Sequence, residues 1–193
     1  MISRLQKENF LNQKAIVIWL TGLSGAGKTT LSEHLSEALF QRGFFTQLLD
    51  GDQIRNGINN NLGFSDEDRM ENIRRIAEIS KLFINSGIIC INSFISPSNG
   101  MRDLAKQIIG AENYFQIYLD VPLEVCEKRD IKGLYQSARE GKIKNFTGIG
   151  ADYEIPTNSN LNLKTGELSI ENSVKICLDK ILPLIQYSVS SEK

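Results

Sequence analysis

Histidine is nearly absent from the chain. His34 is the only one, and it falls within LSEHLSEALF, a stretch of helical periodicity where a surface or boundary position gives it no role. Cysteine is scarce too: Cys90, Cys126 and Cys177 are far apart and lack the C-x-x-C spacing of a zinc or redox site, so they read as buried thiols. An excess of charge of one sign is also missing. The formal net charge of -1 leaves no global basic field to recruit nucleic acid or an anionic membrane, so bound anions must be held by locally placed groups. The longest clean apolar run, AIVIWL, is too short to cross a bilayer, and the opening MISRLQKENFLNQK has no apolar stretch of signal-peptide type. The expected setting is soluble, reducing and cytoplasmic, with no membrane partner. What remains, 193 residues with 41% hydrophobic and 23% charged content, suits one globular domain with a real core.

Strand-like and helix-like segments alternate along that domain. AIVIWLT (15–21) is a short β-rich run, and KTTLSEHLSEALFQRG (28–43) sets Leu31, Leu35, Ala38 and Leu39 on one helical face before a terminating glycine. FFTQLLD (44–50), GIICINSF (87–94), YFQIYLD (114–120) and NLNLKT (160–165) read as further strands. Helices are expected after Ser65, from Met101 to Ile109 and over 171–185. Ser65 with Asp68 forms a candidate capping box, and Ile73, Ile76, Ala77, Ser80 and Phe83 mark the buried stripe that follows it. The alternation predicts an α/β fold of three layers, α/β/α, with a central, mainly parallel sheet covered on both faces. Three segments stand apart from it. Residues 1–13 read as an amphipathic helical extension that offers a homodimer contact, 130–156 as a polar segment too long for a simple connection, either a functional lid or a floppy insertion, and 188–193 as a frayed tail, which leaves 14–187 as the domain proper.

GLSGAGKT, Gly22 to Thr29, matches G-x-x-x-x-G-K-[ST] between a predicted strand and a predicted helix, the context that motif requires. Gly22, Leu23, Ser24, Gly25, Ala26 and Gly27 then turn backbone N–H groups toward the phosphates of ATP. Lys28 reaches the β and γ oxygens, and Thr29, followed by Thr30, meets the phosphates and Mg²⁺ at the positive end of the helix. A glycine-rich turn that merely joins strand to helix is the alternative, and the placement of the motif speaks against it.

Asp50 and Asp52 follow the second predicted strand, and in an open parallel sheet ligands collect at the carboxyl ends of strands. An acid there can hold Mg²⁺, directly or through water, or accept the proton of an attacking hydroxyl; the D-G-D turn can also simply cap the next helix. The residues beyond it weigh toward chemistry. Arg55 lies one helical step past Asp52, Phe64 sits in the loop NLGF, and Arg69 and Asn72, at i and i+3, share a face of the long helix away from its Ile stripe. Two guanidiniums for an anion, an amide for a base edge or phosphate oxygen and an aromatic face for stacking make a nucleotide-shaped set. Asp52, nearer Arg55, is the expected chemical group, and Asp50 the expected magnesium or magnesium-water contact.

With the P-loop, the blocks DGDQIR, LGFSDEDRMENIRR, NSFISP, LEVCEKRD and KGLYQSAREGKIKNFTGI, in this order over about residues 14–165, closely resemble the adenylylsulfate kinase, or APS kinase, family. The resemblance implies a P-loop kinase fold with a lid. It also implies transfer of the ATP γ-phosphate to the 3'-hydroxyl of adenosine 5'-phosphosulfate (APS), giving 3'-phosphoadenosine 5'-phosphosulfate and ADP with Mg²⁺, in sulfate assimilation. Carried over by position, Lys28 and Asp52 look catalytic, with Asp52 beside the 3'-hydroxyl. Arg55, Arg69 and Asn72 fall where the family binds the phosphosulfate nucleotide, and Phe64 and Phe146 where aromatics surround its adenine. Ile95, Lys132 and Asn145 match further substrate positions, and Arg129 is placed against the adenine of ATP. Ser96 of FISP matches a serine described in bacterial members as a phosphoserine intermediate. Because a hydroxyl acceptor permits direct in-line transfer without an enzyme nucleophile, substrate contact is the role expected of it. A lid over both nucleotides would exclude water and suppress idle ATP hydrolysis. The spelling departs from the family twice: Gln53 follows D-G-D where Asn is usual, and Ser98, Asn99 and Gly100 precede Arg102 where many members carry a bulky residue and then an arginine. Two other readings remain at this point, a kinase of the same fold with another nucleotide-like acceptor and a nucleotide-binding switch.

Overall fold

A computed structural model describes residues 2–187; the expected frayed tail lies outside the described residues. The first strand, β1 (Val17–Thr21), is buried at every position, as a strand must be when helices cover both faces of its sheet. Ile18 and Leu20 point into one core and Val17 and Trp19 into the other. On either side of β1 lie β3 (Ile89–Ser93) and β4 (Tyr114–Leu119), flanked in turn by β2 (Thr46–Asp50) and β5 (Leu161–Leu163), in the order β2-β3-β1-β4-β5. Every pairing among the described strands is parallel.

One face is covered by α2 (Lys28–Phe40) and α8 (Ile170–Ile185), through Leu31, Leu35, Leu39, Cys177, Leu178 and Ile181. The other is covered by α4 (Asp66–Asn85) and α5 (Asn99–Ile109), through Ile73, Ile76, Ala77, Met101, Ala105 and Ile109. This is the three-layer architecture that the alternation predicts. Among the described residues no helix is long and apolar enough to cross a membrane.

Three local expectations change. The strand expected from residue 15 starts at Val17, because Lys14 N donates to Ile185 O at 2.8 Å and Ala15 N to Glu8 Oε1 at 2.9 Å. The approach to the sheet is thereby committed to the closing helix and to α1 (Arg4–Leu11). That helix docks through polar groups rather than an apolar stripe: Glu8 is its buried residue, Arg4 joins Glu8, Ala15 O and Asn113 Oδ1, and Leu5 and Phe10 stay exposed. The capping box at Ser65 is half formed. Ser65 Oγ accepts from Asp68 N at 3.1 Å, but the Asp68 carboxylate turns back to accept from Gly63 N at 3.0 Å, which ties the NLGF loop to the start of α4.

The segment expected to be a lid carries structure of its own. After α6 (Leu123–Arg129) come a short helix, α7 (Leu134–Arg139), and a bridge between Thr147 and Ala151.

Candidate active site

A cavity of about 650 Å³ opens at the carboxyl ends of the central strands, between the P-loop, α3 (Gly51–Asn56), the first turns of α4 and lid residues between 130 and 147. At its floor the P-loop winds into α2. Gly27 opens that helix at φ 95°, in the left-handed region where a side chain is strained, and a Cβ on Gly22 would stand 2.9 Å from the carbonyl oxygen of Leu119. Glycine at both places is therefore a requirement of the loop's shape. Lys28 is buried, its Nζ donating to the carbonyls of Gly22 at 2.9 Å and Leu23 at 2.8 Å, and burial pushes its ammonium down to about 8.

Asp50 ends β2 and has two tasks. Its Oδ1 caps α3 by accepting from Asp52 N at 3.0 Å, as the capping alternative requires, and its Oδ2 accepts from the Thr29 hydroxyl at 2.9 Å. The second contact brings together the two residues expected to meet magnesium. Among the described residues no three His, Cys, Asp or Glu side chains converge on one point. A magnesium ion beside this hydroxyl and carboxylate would take its remaining oxygens from phosphate and water, its usual habit in kinases, so the donor set fits the ion.

Asp52 instead faces the cavity, exposed, and pairs with Lys132 of the lid. Opposite the P-loop, the Arg55 guanidinium lies 4.4 Å from the centroid of the Phe64 ring and donates to Gly63 O at 2.8 Å. Arg69 reaches Phe64 O at 3.0 Å, Thr147 Oγ1 at 2.8 Å and Asn145 O at 2.7 Å, joining α4 to the lid. Burial lowers both guanidinium pKa values, and for Arg55 the charge of Arg69 lowers it further. Both stay cationic, and neither is in an ion pair with a carboxylate among the described residues. Asn72 lines the same cavity, its amide oxygen accepting from Asn59 Nδ2 at 2.9 Å.

Ile95 and Ser96 form the wall beyond β3. Ser96 adopts a left-handed backbone, φ 45°; its hydroxyl accepts from the Trp19 indole N–H at 2.9 Å and its carbonyl from buried Arg102. The Ser98-Asn99-Gly100 departure has a local role here: Ser98 Oγ caps α5, and Asn99 Oδ1 accepts from Arg102 Nη2 at 2.6 Å. From the lid, Phe146 packs edge-on against Tyr135 at 5.0 Å, and the Tyr135 hydroxyl donates to Ser24 O at 2.9 Å.

The structure thus gathers most of the expected site into one cavity, including Thr30 at its edge. Gly22, Leu23, Ala26 and Arg129 do not line it. Arg129 sits behind the P-loop, donating to Gly25 O at 3.2 Å and Thr165 O at 3.1 Å. Tyr135, Thr147 and Ser93 also line the cavity, outside the residues that the motifs point to. Tyr135 and Thr147 stand inside the block KGLYQSAREGKIKNFTGI and Ser93 inside NSFISP, so the blocks carry them, while their place at the cavity depends on the packing of the lid and the register of the sheet.

The family model described as adenylylsulphate kinase matches residues 14–164. The chain belongs to the adenylylsulphate kinase family. It is 56% identical over 185 residues to an adenylyl-sulfate kinase of Phocaeicola vulgatus, covering 96% of this chain and 91% of the relative. Identity to the corresponding protein of Bacteroides thetaiotaomicron is 54% over 186 residues, covering 96% and 92%. Among solved structures, the Mycobacterium tuberculosis APS kinase CysC in complex with AMPPNP and APS superposes with a TM-score of 0.84 at 37% identity, covering 88% of this chain and 98% of that one. A hexameric APS kinase from Thiobacillus denitrificans superposes with a TM-score of 0.67 at 27% identity, covering 89% of this chain and 29% of that one. Family members and this chain thus share the P-loop kinase architecture over nearly the whole domain.

Proposed function

We propose that the protein transfers the γ-phosphoryl group of ATP to the 3'-hydroxyl of APS, yielding 3'-phosphoadenosine 5'-phosphosulfate and ADP in cytoplasmic sulfate assimilation. The observation that carries this reading is the pair Arg55 and Arg69, two half-buried cations with no carboxylate ion-pair partner among the described residues, which line one cavity with Asp52 and with Lys28 and Thr29 of the P-loop. A two-nucleotide site needs that arrangement, and a nucleotide switch does not.

In this reading Lys28 leaves the Gly22 and Leu23 carbonyls for the β and γ oxygens, which draws positive charge to where the leaving group builds negative charge. Thr29 and Asp50 would hold a magnesium ion, which when bound would supply neutralising charge to those oxygens. Asp52, once Lys132 turns toward the phosphates, accepts the proton of the 3'-hydroxyl. Arg55, Arg69 and Asn72 bind the phosphosulfate, Phe64 and Phe146 enclose the adenine of APS, and Ile95, Ser96 and Asn145 complete the acceptor wall. Arg129, behind the P-loop, flanks the base of ATP. The Ser96 oxygen receives the Trp19 N–H and, among the described residues, its hydroxyl has no acceptor, which supports a contact role over a nucleophilic one.

The exposed Leu5 and Phe10 of α1 support a homodimer, for which sedimentation should give twice the monomer mass. For the reaction itself, incubation with MgATP and a panel of acceptors should yield ADP and a 3'-phosphorylated product from APS. Turnover with another nucleotide and none with APS would overturn the assignment.

A further inference from the structure

Ser93 closes β3 at the carboxyl edge of the sheet, in register with Asp50 of β2 and Leu20 of β1. Side chains alternate along a strand, and Ile89 and Ile91 lie in the core beneath α2 while Cys90 lies in the opposite one. Ser93 therefore points to the α2 side. Asp50 does the same, since Leu49 before it belongs to the opposite core, and there it meets Thr29 in the first turn of α2. Ser93 and Asp50 thus stand side by side on the α2 side of the sheet edge, where Asp50 meets Thr29.

The hydroxyl of Ser93 is the one buried side-chain polar atom among the described residues with no hydrogen-bond partner, on a residue only 3% exposed that lines the cavity. Other buried hydroxyls are satisfied: Ser32 Oγ donates to Thr29 O at 2.8 Å, Ser80 Oγ to Ile76 O at 2.7 Å and Ser173 Oγ to Ser169 O at 2.9 Å. An unpaired buried hydroxyl costs stability, so its position beside the Thr29–Asp50 pair calls for a partner that arrives with the ligand. Magnesium in kinase sites keeps several waters, and groups that hydrogen-bond those waters fix the ion's orientation.

We propose that Ser93 is a positioning residue for the magnesium ion, its Oγ hydrogen-bonding a water on the ion held at Thr29 and Asp50. The assignment rests on reading Thr29 and Asp50 as the metal contacts. Ser93→Ala removes the hydroxyl and little else. Calorimetry of AMPPNP binding with and without Mn²⁺ gives the gain in nucleotide affinity contributed by the metal. That gain should shrink about 10-fold in Ser93→Ala, with metal-free AMPPNP affinity unchanged and the ligand-free Tm unchanged or raised. Ser80→Ala, which leaves Asn92 Nδ2 without its partner on the other side of the sheet, should lower the Tm and keep the full gain. A full metal-dependent gain in Ser93→Ala overturns the proposal. A gain that is absent from the wild-type protein, or unaltered by Asp50→Asn, would instead refute the reading of the metal site itself.

Discussion

Asp52 and Lys132 face each other across the mouth of the cavity, one from α3 and one from the lid, so the proposed base is held by a charge that must move before it can act. Asp52→Asn keeps the volume and removes the proton acceptor. Steady-state assays should show kcat lowered by about 100-fold or more with a smaller change in KM for APS. Turnover near the wild-type rate would take Asp52 out of the chemistry. Lys28 gives a prediction in pH. Its ammonium, not its amine, pairs with phosphate, and burial sets its pKa at about 8 in the free protein. Bound phosphates raise that value, so ATP binding must take up a proton once the pH exceeds about 8 and takes up none well below it. Binding enthalpies in buffers of different ionisation enthalpy should reveal that uptake at about pH 9 and not at about pH 6.5.

At the scale of elements, the start of α4 links stability to the acceptor side. Ser65→Ala removes the cap on Asp68 N and should cost about 1 kcal/mol, read as a lower urea midpoint. The Asp68–Gly63 contact survives that change, so Phe64 keeps its place and kcat should stay near wild type. The same helix shows what its sequence could and could not disclose. Its apolar stripe repeats with the helical period, so Ile73, Ile76, Ala77 and Ser80 are legible without coordinates. The half-open capping box is not, because Asp68 chooses between the Ser65 backbone and Gly63 according to how the preceding loop folds. Nor is the docking of α1 through Glu8, since a buried carboxylate is recognised only by its partners, Ala15 N and Arg4.

Across the whole molecule, the lid is the longest excursion from the strand–helix alternation, and Lys142 and Lys144 lie exposed within it. Trypsin should cut after these lysines in the free protein, and more slowly with AMPPNP and APS together than with either alone, as followed by fragment mass. Equal rates in all three conditions would separate the lid from any closure over two nucleotides. By itself the sequence determined the P-loop with Lys28 and Thr29, the parallel three-layer fold and the spacing of Arg69 and Asn72, since these rest on local conformation and on periodicity within single segments. Only the tertiary structure decided that Thr29 meets Asp50 across 21 residues, Lys132 meets Asp52 across 80, Arg69 meets Thr147 across 78, and the Ser93 hydroxyl is buried without a hydrogen-bond partner among the described residues. Those contacts follow from sheet register and from the packing of the lid, which arise between distant segments and leave no periodic trace in either one.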